Sequence, residues 1–421
     1  MRTFAITLAA VVGIGMFSAP ARLQQKPAAS MEKGGEDEFG PYEPVKGWPD
    51  KFVTRPGYIW GSQGGVFAET PDKIFLLNKG ELKLPLDSKT GQPRKLPNSF
   101  NGAWGSLLGL GLGNANGPLD DKGESARPSV DDMRNCIVIV DGAGHVKEIW
   151  NQWDKLFKGG RGPHTITISP YDPERAVWVV DDLKEQIFKF SNDGKKLLMI
   201  LGDGGNGVGK EGDPNSLGVE GTDPLHFGRP TNVAFLPDGT FFVTDGYVNT
   251  RVMKFDKNGK FILEWGGGRK PGKGPGEFSQ LVHSIAIGDN KRVYVADRAN
   301  ARVQVFDLDG KFIEQWPNIH TPCYVLVTQD QHLWVADLEA NKMLKFDMDG
   351  HYLYGWGTYG SFPGGFYGIH EFSVDTNQNL YTAETFGGRQ QKFVPKPGAD
   401  PSHLVGKPRP LMPLKVPATM N

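Results

Sequence analysis

The sequence predicts an all-β fold, a six-bladed β-propeller, on three observations. A unit of roughly 40–55 residues recurs along the chain. Each copy carries short strands of alternating apolar residues, separated by Asp-Gly or Asn-Asp-Gly turns. The composition, with 56 Gly and 31 Pro beside 38% hydrophobic residues, suits many tight turns around a packed core.

The clearest copies begin at Arg229 (RPTNVAFLPDGTFFVTDGYVNTRVMKF), Leu281, Thr321 and Gly368, with a fifth at Pro163 (PHTITISPYDPERAVWVVDDLKEQIFKF). A sixth begins near Gly64 and resumes at NCIVIVDGAGHVKEIW after an insertion over about 81–133. About four short strands per unit is the signature of a propeller blade. The propeller is therefore expected over 51–395, with the N-terminal segment as a candidate for the outer strand that closes the last blade.

The flanks differ in composition. Residues 1–21 have the plan of a cleavable signal peptide: Arg2, an apolar run FAITLAAVVGIGMF, and Ala19-Pro20-Ala21 before the expected cut. That run is too short to cross a bilayer comfortably. The expectation is a secreted or periplasmic protein with no membrane span after cleavage. Residues 22–50 are expected to be a flexible lead-in, and 396–421 an extended Pro-rich tail. With 47 Lys+Arg against 48 Asp+Glu, nothing favours nucleic acid or an anionic membrane as partner. Two cysteines, Cys136 and Cys323, make no disulfide scaffold, and sequence alone does not say whether they pair.

The repeat supplies a coordinate system for the histidines. In most copies, counting back 14 from the acidic residue that ends the V-x-D strand reaches one equivalent position. In the copy from Pro163, whose turn is longer, the count is 17. That position reads Gly64, His164, Thr231, His283, Cys323, His370 around the ring. Histidine falls on blades two, four and six, at three-fold positions about the axis. Three imidazoles meeting on an axis with one side open is the layout of a catalytic zinc site. The competing reading is three unrelated core histidines. His145, His226, His320, His332, His351 and His403 lie off this register and read as surface or turn residues.

A second count exposes a break. From anchor to the Phe closing the next strand is nine residues in four copies, but Asp245 to Phe255 is ten. The extra residue lies in DGYVNTRV. It reads either as a bulge that re-aims Tyr247 or as a harmless turn variant. The position after the anchor reads Lys79, Asp182, Gly246, Arg298, Leu338, Thr385. Lys79 and Arg298, on opposite blades, read either as a clamp for an anionic substrate group or as rim salt bridges. Arg251 and Arg302 fill an ordinary repeat position and read as structural.

The links WGGGRKPGKGPGEF and WGTYGSFPGGF, with the V-x-D…N-x-R-V…F strands, resemble NHL repeats. RPTNVAF, TDGYVNTRV, VHSIAI and VADRANARVQ further resemble peptidyl-α-hydroxyglycine α-amidating lyase, over roughly 59–395. The resemblance implies a six-bladed propeller with one zinc on His164, His283 and His370. It implies Tyr247 as catalytic base, with Arg298 and Lys79 holding the substrate carboxylate. It also implies a structural calcium on Glu371 and the backbone carbonyls of Val66 and Ile166. Lys79 stands where the family has arginine, Glu371 where it has aspartate, and Val248 where it has a disulfide cysteine.

The expected function is a zinc-dependent carbon–nitrogen lyase. It would cleave an N-acyl carbinolamide, a peptide or small molecule bearing a carboxylate, to an amide and glyoxylate. The rival is a non-catalytic NHL-repeat propeller serving as a binding platform in the cell envelope. A propeller lactonase or hydrolase is a third class, disfavoured because such sites use carboxylate and Asn ligands for calcium.

Overall fold

The computed structural model describes residues 35–51, 53, 55, 58–83, 90, 133–158, 162–204, 226–266 and 270–415. The expected signal segment and nearly all of the 81–133 insertion lie outside the described residues. Six four-stranded antiparallel sheets form the blades of a six-bladed, all-β propeller. Their innermost strands are Gln63–Thr70, Thr165–Ile168, Pro230–Phe235, Val282–Ile287, Pro322–Val327 and Ile369–Val374. Blade one runs directly from Lys73–Asn78 to Ile137–Val140 in its sheet, so the insertion leaves the blade between adjacent strands.

Burial follows position within the blade. Inner and second strands are almost wholly buried, whereas the outer strand Phe261–Gly266 alternates half-buried and exposed residues. Facing sheets bury apolar faces against each other: Trp178 and Val180 of blade two pack with Val233, Phe241 and Met253 of blade three. The Asp-x-Asp-Gly turns are self-capped. The Asp307 Oδ1 atom accepts from the N–H groups of Asp309 and Lys311, both at 2.9 Å. Gly310 closes that turn at φ +82°, and a Cβ there would sit 2.6 Å from the Trp265 ring of the preceding blade. The turn glycine thus serves both the backbone conformation and the packing between blades.

The lead-in expected over 22–50 is corrected from Gly35 onward. Gly35–Phe39 is a helical turn, and Tyr42–Pro44 pairs antiparallel with Arg389–Pro395 as the outer strand of blade six. The ring is therefore closed by strands from both ends of the chain. An isolated three-residue strand carries no sequence period of its own; pairing with blade six supplies its order.

The Pro-rich tail, expected to be extended, first makes two turns, in which Ala399 N–H donates to the Lys396 carbonyl and His403 N–H to that of Asp400, and is then pinned along the ring. Val405 N–H donates to the Tyr42 hydroxyl at 2.9 Å, Gln329 N–H to the Lys407 carbonyl at 2.8 Å, and Met412 N–H to the Pro170 carbonyl at 3.0 Å. The tail so crosses blades six, five and two. It covers a cavity of about 360 Å³ lined by Ile168, Val233, Ile285 and Leu326, residues of the inner strands. Tyr42→Phe should leave the Val405 N–H buried without its acceptor. The expected cost is about 1–3 kcal/mol, measured as a lower denaturant midpoint at unchanged slope.

Candidate metal centre

The histidine register is a series of β-bulges. Val282 pairs with Asp297 and Ser284 with Ala296, which leaves His283 as the extra residue between them. The same shift falls at Gly64, Thr231, Cys323 and His370. A bulged residue leaves the pleat, which explains how a polar side chain can open an apolar inner strand. His164 precedes its strand, and its N–H donates to the Val180 carbonyl at 2.7 Å.

The three histidines come together as the register predicts. His164, His283 and His370 are 0%, 1% and 3% exposed. Their ring centroids are 4.5–5.0 Å apart, and one ligand nitrogen from each lies within 4.8 Å of the others. Each Nδ1 meets a backbone carbonyl of the following blade: Thr231 at 3.0 Å, Cys323 at 2.7 Å and Gly64 at 2.6 Å. These acceptors occupy the three non-histidine positions of the same register. A carbonyl can only accept, so Nδ1 carries the proton and Nε2 presents its lone pair inward.

That tautomer set tests the fit of a metal. The Nε2 atoms of His164 and His370 face each other at 3.1 Å, both as acceptors. The Tyr247 hydroxyl lies 3.1 Å from His164 Nε2 and 2.9 Å from His283 Nε2, and brings one proton for three lone pairs. Protonating the rings is opposed: burial first, then the charge of Arg298 for His283 and the neighbouring His164 for His370, hold both well below the ordinary histidine range. A cation bound to three neutral imidazoles meets this acceptor excess, and the donor set suits zinc.

Tyr247 reaches the centre from the turn between Phe241–Asp245 and Arg251–Phe255. The expected bulge is corrected here: Asp245 pairs with Arg251 and the register continues unbroken to Phe255. The extra residue lengthens the turn. A residue count cannot tell the two cases apart, because both add one residue between the same endpoints. Gly246 is required by close approach, since a Cβ there would sit 1.8 Å from the Val282 carbonyl oxygen. The Gly246 carbonyl accepts the Leu281 N–H at 2.6 Å, tying the turn to blade four.

Lys79 and Arg298 are both half-buried, and the charge of each opposes protonation of His283. The Lys79 N–H donates to the Ser62 carbonyl and the Arg298 N–H to Leu281, so the two occupy equivalent rim positions. Glu371, Val66 and Ile166 also come together, though not as expected for calcium. The Glu371 carboxylate accepts from the N–H groups of Ile166, at 3.3 Å, and Val66. It faces amide donors where carbonyl oxygens were expected, and its Oε1 is buried with no hydrogen-bond partner among the described residues. Burial raises its pKa well above the ordinary carboxylate range. Calcium takes oxygen ligands, and Val66 and Ile166 meet Glu371 as N–H donors rather than as the carbonyl ligands that the resemblance implies. Cys136 and Cys323 are both free and buried.

Two residues near Tyr247 had no role in the sequence reading. Arg229 is 2% exposed, stacks its guanidinium carbon 4.5 Å from the Tyr247 ring centroid, and donates from Nε to Asp182 Oδ2 at 3.1 Å. Nearby, the anchors Asp245, Asp297 and Glu384 each hold an arginine of their own blade at 2.8–2.9 Å. In blade two the corresponding partner is Gln186, and the buried Asp181 is pushed up to about 8 by burial and then by Asp182. The folded protein so keeps a proton that the unfolded chain releases. Stability from this group is full below the ordinary carboxylate range and is lost as pH rises toward 8. Asp181→Asn should flatten that decline, which one group sets at up to about 1.4 kcal/mol per pH unit. Denaturant midpoints measured across the neutral range check it.

Comparison with known proteins adds the following. Residues 217–324 match a family model described as a 6-bladed beta-propeller. Over 157 residues the chain is 38% identical to peptidyl-glycine alpha-amidating monooxygenase B of Xenopus laevis, covering 36% of this chain and 16% of that protein. Over 166 residues it is 36% identical to peptidyl-alpha-hydroxyglycine alpha-amidating lyase 1 of Drosophila melanogaster, covering 37% and 27%. Over 204 residues it is 31% identical to mouse NHL repeat-containing protein 3, covering 46% and 52%. The shared stretch thus spans from about a sixth to about half of the length of these relatives.

Proposed function

We propose that this chain, which belongs with the NHL-repeat six-bladed propellers related to the peptidyl-α-hydroxyglycine α-amidating lyases, is a zinc-dependent carbon–nitrogen lyase. The observation that carries the reading is a cluster of three inward-facing Nε2 atoms, two of which, on His164 and His283, meet the Tyr247 hydroxyl. His164, His283 and His370 would hold the metal. When bound, zinc supplies a Lewis acid that polarises the hydroxyl or carboxylate oxygen of the substrate.

The substrate class is an N-acyl carbinolamide with a carboxylate on the carbinol carbon. Tyr247, as phenolate, takes the hydroxyl proton. The O–H electron pair forms the new C=O bond, the C–N bond breaks, and the departing amide nitrogen takes the proton that Tyr247 has accepted, which restores the phenolate. The products are an amide and glyoxylate, so no water, oxidant or reductant is consumed. Arg298 binds the carboxylate in a two-pronged manner, and Lys79 adds a point charge on the opposite rim. Burial of the histidines keeps water from competing at the reacting carbon. The apolar leader supports an exported protein acting outside the cytoplasm.

The test is incubation of the purified chain with α-hydroxyhippurate. Benzamide and glyoxylate should appear in equal amounts, stop on chelation and return with zinc. Metal-loaded protein that leaves the compound intact removes this substrate class. The near-complete burial of the three imidazoles favours a second reading, a structural metal in a binding platform. Under it no substitution at Tyr247 affects turnover, because none occurs.

A further inference from the structure

We infer that Arg229, fixed by Asp182, is a positioning residue that holds Tyr247 at the metal centre; this rests on the lyase reading above. The repeat supplies the internal control. Two residues before the ligand position, the blades carry Ser62, Gly162, Arg229, Leu281, Thr321 and Gly368, so only blade three has a charge there. The position is left-handed in four blades, at φ +86° for Gly162, +65° for Arg229, +73° for Leu281 and +74° for Gly368. Two blades use glycine, the residue that bears this conformation freely. Blades three and four place bulky side chains there, Arg229 and Leu281, despite the steric cost; only Arg229 carries a charge.

The backbone of this position has one task in every blade where it is seen. Its carbonyl accepts the N–H of the residue after the anchor: Ser62 from Lys79, Leu281 from Arg298, Thr321 from Leu338, Gly368 from Thr385. In blade three the Arg229 carbonyl faces two N–H groups, Gly246 at 3.4 Å and Tyr247 at 3.3 Å. The lengthened turn is therefore gathered onto Arg229. Its side chain then lies over the Tyr247 ring, with the guanidinium carbon 4.5 Å from the centroid.

The side chain at this position also reaches the neighbouring blade. In blade one, the Ser62 hydroxyl meets the Thr385 hydroxyl at 2.6 Å across the junction with blade six. In blade three the equivalent contact is the buried Arg229–Asp182 ion pair. A neutral contact serves the first junction, so a junction does not need two buried charges, which are costly to desolvate. Asp182 also matches the charge of Arg229, which separates it in role from the carboxylate-binding Arg298. The pair is placed to keep the phenol from turning about its two side-chain torsions. The hydroxyl then stays within 3.1 Å of both His164 and His283.

The test uses Arg229→Leu, Arg229→Lys and Asp182→Asn in the full chain. Arg229→Leu should lower kcat by about tenfold to a hundredfold, the usual penalty for a misplaced catalytic group, with KM and metal content unchanged. Arg229→Lys should recover part of the loss, because a cation remains over the ring while the fork to Asp182 is gone. Asp182→Asn should fall between wild type and Arg229→Leu. A lower melting temperature or metal content with wild-type kcat per bound metal overturns the assignment in favour of a structural role. A second arm needs no turnover and no metal. In metal-free protein labelled with ¹³C at tyrosine Cζ, the Tyr247 signal is the one lost in Tyr247→Phe. It should shift or split in Arg229→Leu, and less in Arg229→Lys; an unmoved signal in both overturns the proposal. If wild type releases no glyoxylate, the lyase reading fails, and the tyrosine signal alone decides whether Arg229 positions the ring.

Discussion

Tyr247→Phe should lower kcat on α-hydroxyhippurate by about 10²–10⁴-fold, the range for loss of a general base, with metal content at the wild-type level. The structure separates these two readouts. The phenol ring is 6% exposed, lies beneath the Arg229 guanidinium, and hangs from a turn fixed by its backbone. Phenylalanine keeps that packing and removes one oxygen. The three Nε2 atoms keep their orientation because it is set from behind, by the carbonyls of Thr231, Cys323 and Gly64. Loss of metal in Tyr247→Phe would make the hydroxyl part of the binding site. Unchanged turnover would remove Tyr247 from the chemistry.

His283→Ala should abolish stoichiometric metal and, with it, turnover. Two imidazoles cannot replace a three-nitrogen set, and even changes behind a ligand weaken binding by about 10–100-fold. The variant also leaves the Cys323 carbonyl without its imidazole donor. The sulfur of Cys323 is not a ready substitute ligand, because burial pushes its thiol up to about 12. The loss of stability should be largest in zinc-containing buffer, where wild type gains binding energy and the variant does not. Thermal unfolding with and without chelator measures this. A variant that retains one metal per chain would show that the three histidines are not the ligands.

The parts of this architecture that were legible are those encoded within a single repeat. Alternating strands, Asp-Gly turns and the count back to the ligand position all lie inside one blade, where sequence distance maps onto space. His283 and His370 align because their blades repeat the same turn length, and His164 aligns once the three extra residues in the turn of its blade are allowed for. The bulges at His283 and His370 are not visible in sequence, since a bulge is a property of the pairing between two strands. The extra residue at Tyr247 is countable in sequence, but only the pairing of Asp245 with Arg251 decides between a bulge and a longer turn. Arg229 carries no signal within its own repeat, because its partner Asp182 lies 47 positions away on another blade. The need of the last blade for an outer strand pointed to the N-terminal segment, and Tyr42–Pro44 fills that place; the anchorage of the tail is not legible, because it takes its order from surfaces made by distant segments. Glu371 illustrates the reverse limit: its position matched, but its contacts are with N–H groups.

The most direct test is elemental analysis of the purified chain, without added metal, beside His283→Ala. The account predicts about one zinc ion per chain, absent from the variant. A wild-type chain that neither carries a metal nor takes one up from zinc-containing buffer would contradict it, and would leave His164 and His283 sharing the hydroxyl proton of Tyr247.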